Sequence, residues 1–191
     1  MERRRQSTSK LLLVGVLLAI VLVGVRVATA LEIGEEAPDF TLPSTLGEEI
    51  SLRQFRGKHL VLIEFFGGDF PVCRANLSAR QVDYRQFQAL NIQILGISFN
   101  NPFSQKVMAD SFQLPYFLLS DVYLKVIKAY GVLCTSASAM CDPRFEGLLP
   151  LRSFFLVDKQ GIIRGKWIGE GMAVFPSEML LKGAQEVAQK P

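Results

Sequence analysis

Apolar and polar positions alternate along this chain with a period that changes from block to block. Residues 11–25 form one run without a charged side chain. After it, GEEAPDFTLPSTLGEEISLRQFRGK is cut by Pro38, Pro43, Gly47 and Gly57 into two short strands and a brief helical turn. The blocks then lengthen. A buried strand is predicted over about 59–66, a helix over about 73–90 and a second apolar strand over about 92–99. A helix over about 103–112 precedes LPYFLLSD, and another over about 122–130 is stopped by Gly131. Strands over about 152–157 and 162–168 are joined by the hairpin turn Asp158-Lys159-Gln160-Gly161, and a helix over about 177–189 closes the chain. Strand, helix, strand, helix, hairpin and helix make an α/β domain: a central mixed β-sheet flanked by helices on both faces.

Length adds one constraint and the N-terminus another. The chain has 191 residues, enough for one such domain and a short appendage. Arg3, Arg4, Arg5 and Lys10 precede the apolar run, and Ala28-Thr29-Ala30 follows it as an A-x-A cleavage pattern. Residues 1–30 therefore read as a signal peptide or a membrane anchor, with residues 11–30 as the tether in the second case, and residues 31–191 as the folded domain. Either way the positive cluster keeps its own end cytoplasmic, so the domain is expected to be extracytoplasmic, on a periplasmic or cell-surface side. Five of the 21 Lys and Arg and one of the 18 acids lie in this segment, so without it the formal charge falls from +3 to −1. A near-neutral domain without a basic cluster gives no reason to propose nucleic acid as a partner. The one histidine, His59, sits beside Lys58 at a strand start and reads as a surface residue.

Cys73 carries the strongest chemical signal. It ends the run VLIEFFGGDFPVC, where an apolar strand breaks into a Gly-rich turn and a helix begins. Unpaired N–H groups and the positive end of the helix dipole at such a position favour thiolate over thiol, so a lowered pKa is expected. Glu64 stands inside the preceding apolar strand; a buried acid there would have a raised pKa suited to proton transfer with sulfur, and a strand residue facing a polar edge is the alternative. Phe65, Phe66, Phe154, Phe155 and Trp167 read as core. Three cysteines at these spacings make no zinc or iron–sulfur motif, and no Gly-rich dinucleotide motif is present, so no cofactor is expected. Asn76-Leu77-Ser78 matches a glycosylation sequon but falls on the helix beside Cys73 and is discounted.

From Ile33 onward the chain resembles the peroxiredoxin family, the alkyl hydroperoxide reductase and thiol-specific antioxidant group of the thioredoxin-like superfamily. GEEAPDFTLPSTLGEEISLRQFRGK is similar to its N-terminal hairpin, LPYFLLSDVYLKVIKAYGVL to its LLSD–helix–YGV segment, and RSFFLVDKQGIIRGKW to its R-x-T-F-x-I-D-x-x-G strand pair. The resemblance implies a thioredoxin-like fold and a thiol-dependent peroxidase. Cys73 would attack hydrogen peroxide or an organic hydroperoxide and become sulfenic acid, with Arg152 beside it and a thioredoxin-like or other thiol as reductant. A guanidinium keeps its charge, holds the thiolate and can hydrogen-bond the peroxide oxygen. Two positions depart from the family pattern. Its T-x-x-C has Phe70 in the threonine place, which cannot hydrogen-bond peroxide, and its acid three residues after the cysteine is Asn76. A resolving cysteine five residues on is replaced by Ser78.

The same window aligns with the thiol-disulfide reductases F-W-x-x-W-C-x-x-C-R. There Cys73 takes the second cysteine's place, Phe70 that of the nucleophilic first and Glu64 that of the buried acid, which excludes a dithiol relay at 70 and 73. Cys134 and Cys141 lie in CTSASAMCDPRFEGLLPLR just before Arg152. They stand as a disulfide that staples the loop, as resolvers of Cys73 or electron donors to it, or as separate thiols. A catalytically degenerate thiol-binding protein and a membrane-bound thiol-disulfide oxidoreductase using Cys134 and Cys141 are the alternatives to the peroxidase.

Overall fold

The computed structural model describes residues 31–138, 141–169 and 174–188. The expectations for residues 1–30 and for the last residue of the closing helix, Gln189, lie outside the described residues.

Two short strands, β1 (Thr41–Pro43) and β2 (Glu49–Ser51), pair antiparallel around the turn at Gly47. The main sheet is built from β3 (Leu60–Phe65), β4 (Ile92–Ser98), β5 (Phe117–Ser120), β6 (Ser153–Val157) and β7 (Ile163–Ile168) in the order β5-β4-β3-β6-β7. β3, β4 and β5 run parallel, while β6 and β7 are antiparallel to their neighbours. The helices are α1 (Pro71–Val82), α2 (Tyr84–Ala89), α3 (Pro102–Phe112), α4 (Lys125–Ala129) and α5 (Ser177–Ala188).

Every residue of β3 is buried, as in a strand covered on both faces. Val61, Ile63 and Phe65 point to one core with Phe155, Ile127 and Tyr130, closed by the β1–β2 hairpin and α4. Leu60 and Leu62 point to the other, with Cys73, Leu77, Phe87, Met108 and Leu180 from α1, α2, α3 and α5. The period of two puts Glu64 on this second face. The aromatic residues expected in the core are buried, Trp167 partly.

The structure departs from the pattern in three places. The helix expected over about 122–130 starts only at Lys125, because Leu124 before it takes a left-handed φ of 58°. PYFLLSD contains β5, which binds its parallel neighbour β4 from Leu95↔Phe117 to Ser98↔Ser120. The predicted helix over 73–90 begins two residues earlier, at Pro71, and divides at Asp83, whose φ of −92° and ψ of 6° leave the helical region.

Candidate active site

The site lies outside the carboxyl end of β3, the central strand, which is where parallel α/β sheets open a crevice. Pairing explains its two main residues. β6 is antiparallel to β3 with Phe65 opposite Ser153, so the start of β6, and Arg152 just before it, meets the end of β3. From that same end the chain turns through Gly67 and Gly68 into α1. Gly68 takes φ +96°, a conformation other residues avoid. Phe70 is the N-cap, Pro71 opens the helix, and Cys73 follows on its first turn.

Cys73 is the free cysteine and is 1% exposed. It lines a cavity of about 410 Å3 together with Gly67, Phe70, Cys134, Arg144, Leu149 and Arg152. The rings of Phe70 and Phe145 meet edge to face at 5.6 Å, joining the start of α1 to the loop that carries Cys134. Leu149 leans over Gly67, where a Cβ would stand only 3.3 Å from Leu149 Cδ1.

The expected lowering of the Cys73 pKa is reversed. Burial, the largest effect, raises it, and the nearby Glu64 carboxylate also raises it. Backbone hydrogen bonds from Gly67 and Phe70 and the Arg152 charge pull it down without overcoming burial. The helix position was legible in the sequence; the roof over it was not.

Glu64, 1% exposed, has its pKa raised to about 7 by burial, against the pull of Arg80. Arg80 lies seven residues after Cys73 and so on the same inward face of α1. It is fully buried, donates through Nη2 to the carbonyl of Phe175, and sits 5.4 Å from the Phe154 ring centre. Glu64 Oε2 and Arg80 Nε and Nη1 are buried without a hydrogen-bond partner among the described residues. Asn76, between Cys73 and Arg80, donates to the carbonyl of Val72 and accepts from the N–H of Phe175. α1 thus holds both backbone groups of Phe175. Asn76 is buried with its amide occupied, which removes it as a glycosylation site.

Cys134 and Cys141 form a disulfide with Cα atoms 5.1 Å apart. His59 packs on Phe55 before the start of β3, at the end opposite Cys73. Sequence reasoning missed Arg80, Arg144 and Phe145. For Arg80 a signal existed: one base on the otherwise inward stripe of α1, facing the strand that carries Glu64.

Fold and site together define a class: a thioredoxin-like domain that presents a single cysteine on the first turn of the helix after its central strand. Residues 33–166 match the AhpC/TSA family. The chain belongs to this peroxiredoxin family. It is 31% identical over 131 residues to the chloroplastic peroxiredoxin Q of Populus jackii, covering 69% of this chain and 57% of that protein. The peroxiredoxin Q of Gentiana triflora is likewise 31% identical over 131 residues, with 69% and 56% covered. The chain therefore spans little more than half the length of these relatives. Peroxidoxin BcpB of Mycobacterium tuberculosis superimposes with a TM-score of 0.69 at 20% identity, over 82% of this chain and 98% of its own. A yeast mitochondrial 1-Cys peroxiredoxin gives 0.71 at 20% identity, over 82% and 76%. At such identities these structures establish the fold.

Proposed function

We propose that this protein is a thiol-dependent peroxidase acting on organic hydroperoxides in preference to hydrogen peroxide. The observation that carries the reading is the single cavity that joins Cys73 to Arg152 on a peroxiredoxin framework. The Cys73 thiolate attacks the outer peroxide oxygen, the O–O bond breaks, and an alkoxide leaves and takes up a proton as alcohol. Cys73 becomes sulfenic acid. Arg152 holds the thiolate and stabilises the charge passing to the leaving oxygen. Phe70, Val72, Phe145, Leu149 and Leu151 give the cavity apolar walls that favour a hydroperoxide with a hydrocarbon tail. The Glu64 carboxylate disfavours the Cys73 thiolate, so protonation of Glu64 favours the reactive form of the thiol. A thiol reductant, thioredoxin-like by family, returns Cys73 to the thiol.

Residues 1–30 fit a leader that carries the domain across a membrane, whether cut or kept as a tether, and a disulfide between Cys134 and Cys141 is compatible with that oxidising side. Protease accessibility in spheroplasts tests this. Among the described residues no helix is long and apolar enough to span a membrane.

A second reading, a thiol-binding protein without peroxidase activity, is favoured by Phe70 in the threonine place and by the burial of Cys73. The two part in one assay. Peroxide-dependent oxidation of a dithiol reductant that disappears in Cys73→Ser supports the peroxidase; no turnover above reductant alone supports the binding protein.

A further inference from the structure

The placement of the three cysteines carries an inference that rests on the peroxidase reading and goes past it. Cys73 and Cys134 line the same cavity, and Cys134 is 1% exposed, so no bulky reductant reaches it from outside. Its backbone is fixed on both sides: Cys134 N–H donates to Leu149, its carbonyl accepts from Gly147, and Leu133 bridges to Pro150. Cys141, half-buried, is held beside it by the disulfide and stands on the outer turn, where its N–H bonds to Ser138. Cys134 therefore shares the cavity of the reactive thiol, and Cys141 is the more exposed of the bonded pair.

We propose that electrons enter at Cys141 and leave through Cys134 to Cys73. An external dithiol protein attacks Cys141 Sγ and expels Cys134 as thiolate; its own second thiol then releases Cys141 and closes the reductant's disulfide. After peroxide has made Cys73 sulfenic acid, Cys134 thiolate attacks the Cys73 sulfur, hydroxide leaves and is protonated to water, and a Cys73–Cys134 disulfide forms. Cys141 thiolate then attacks Cys134, expelling Cys73 as thiolate and restoring the Cys134–Cys141 disulfide. The Arg152 charge beside Cys73 stabilises the thiolate expelled in that step. The state with Cys134 and Cys141 paired and Cys73 free is thus the end of one turnover.

The test takes fully reduced protein, adds one equivalent of an organic hydroperoxide, and maps peptides after acid quench. Wild type is expected to finish with Cys134–Cys141 paired and Cys73 as thiol, and Cys73→Ser to keep the pair reduced over the same interval. Cys141→Ser should stop at Cys73–Cys134 and Cys134→Ser at the sulfenic acid, each losing at least about tenfold in turnover with a dithiol reductant. The wild-type end state gives the answer even if a cysteine variant folds poorly. Sulfenic acid persisting on Cys73 beside a reduced pair, a first disulfide to Cys141, or pairing at the same rate in Cys73→Ser overturns the relay alone. A Cys73 untouched by peroxide overturns both the relay and the peroxidase.

Discussion

The two faces of the sheet differ in what they bury. On the face covered by the β1–β2 hairpin and α4, Phe65, Tyr130 and Phe155 interlock with ring centres 5.1 to 5.8 Å apart, and the Tyr130 hydroxyl donates to the carbonyl of Pro38 at 3.0 Å. On the α1 face the same strand contributes Glu64, α1 contributes Arg80, and three of their polar atoms lack a hydrogen bond among the described residues. Unpaired buried polar atoms weaken a fold, by about 1–3 kcal/mol each. One face therefore holds the sheet and the other keeps charge next to the thiol. The reactive end of β3 is stiffened from behind, which lets the front bury groups that stability alone would replace with apolar side chains.

The largest expected effect falls on the sealed face. Phe155→Ala should cost about 3–5 kcal/mol in urea unfolding, because a fully buried ring leaves a cavity. The alkylation rate of Cys73 in the folded fraction should stay at the wild-type value; a parallel fall would mean that the two faces are not separable. Next is Glu64→Gln. The folded-state pKa of Glu64 is raised from 4.5 to about 7, so the neutral form favours folding. Its contribution is complete below about pH 4.5 and lost as pH rises to about 7, a change of about 3 kcal/mol at most. Stability curves should flatten by that amount between these limits in Glu64→Gln, and the Cys73 thiol should titrate lower. Equal slopes in the two proteins would remove Glu64 from the account. Arg152→Met should raise the Cys73 pKa and reduce kcat/KM for hydroperoxide by about a hundredfold. The smallest effect is Asn76→Ala, which loses the two bonds to Val72 and Phe175, roughly 1–2 kcal/mol by the same unfolding assay.

How far the sequence reached can be judged from the same residues. Glu64 was visible because a carboxylate interrupts an apolar strand, and the β6–β7 hairpin because Asp158 and Gly161 mark its turn; Asp158 Oδ1 does accept from Gln160 and Ile162 N–H. β5 was missed because its four residues are too few for a period to show. The break at Asp83 has no Gly or Pro to announce it. The thiol's position on the helix could be read along the chain, but it is buried in a core that includes Phe154 and Leu180, more than eighty residues away in sequence, and that burial reverses the pKa direction. Arg80 was hidden by the rule that sends charged side chains outward on a helix.

The most direct test is the second-order rate of Cys73 oxidation by an organic hydroperoxide, followed by quenched flow on reduced protein with mass mapping of the sulfenic acid. The account predicts oxidation confined to Cys73, about a thousandfold or more faster than for a free thiol at the same pH, and slowed by Arg152→Met. A Cys73 that reacts no faster than a free thiol, or that remains reduced while Cys134 and Cys141 oxidise, would contradict it.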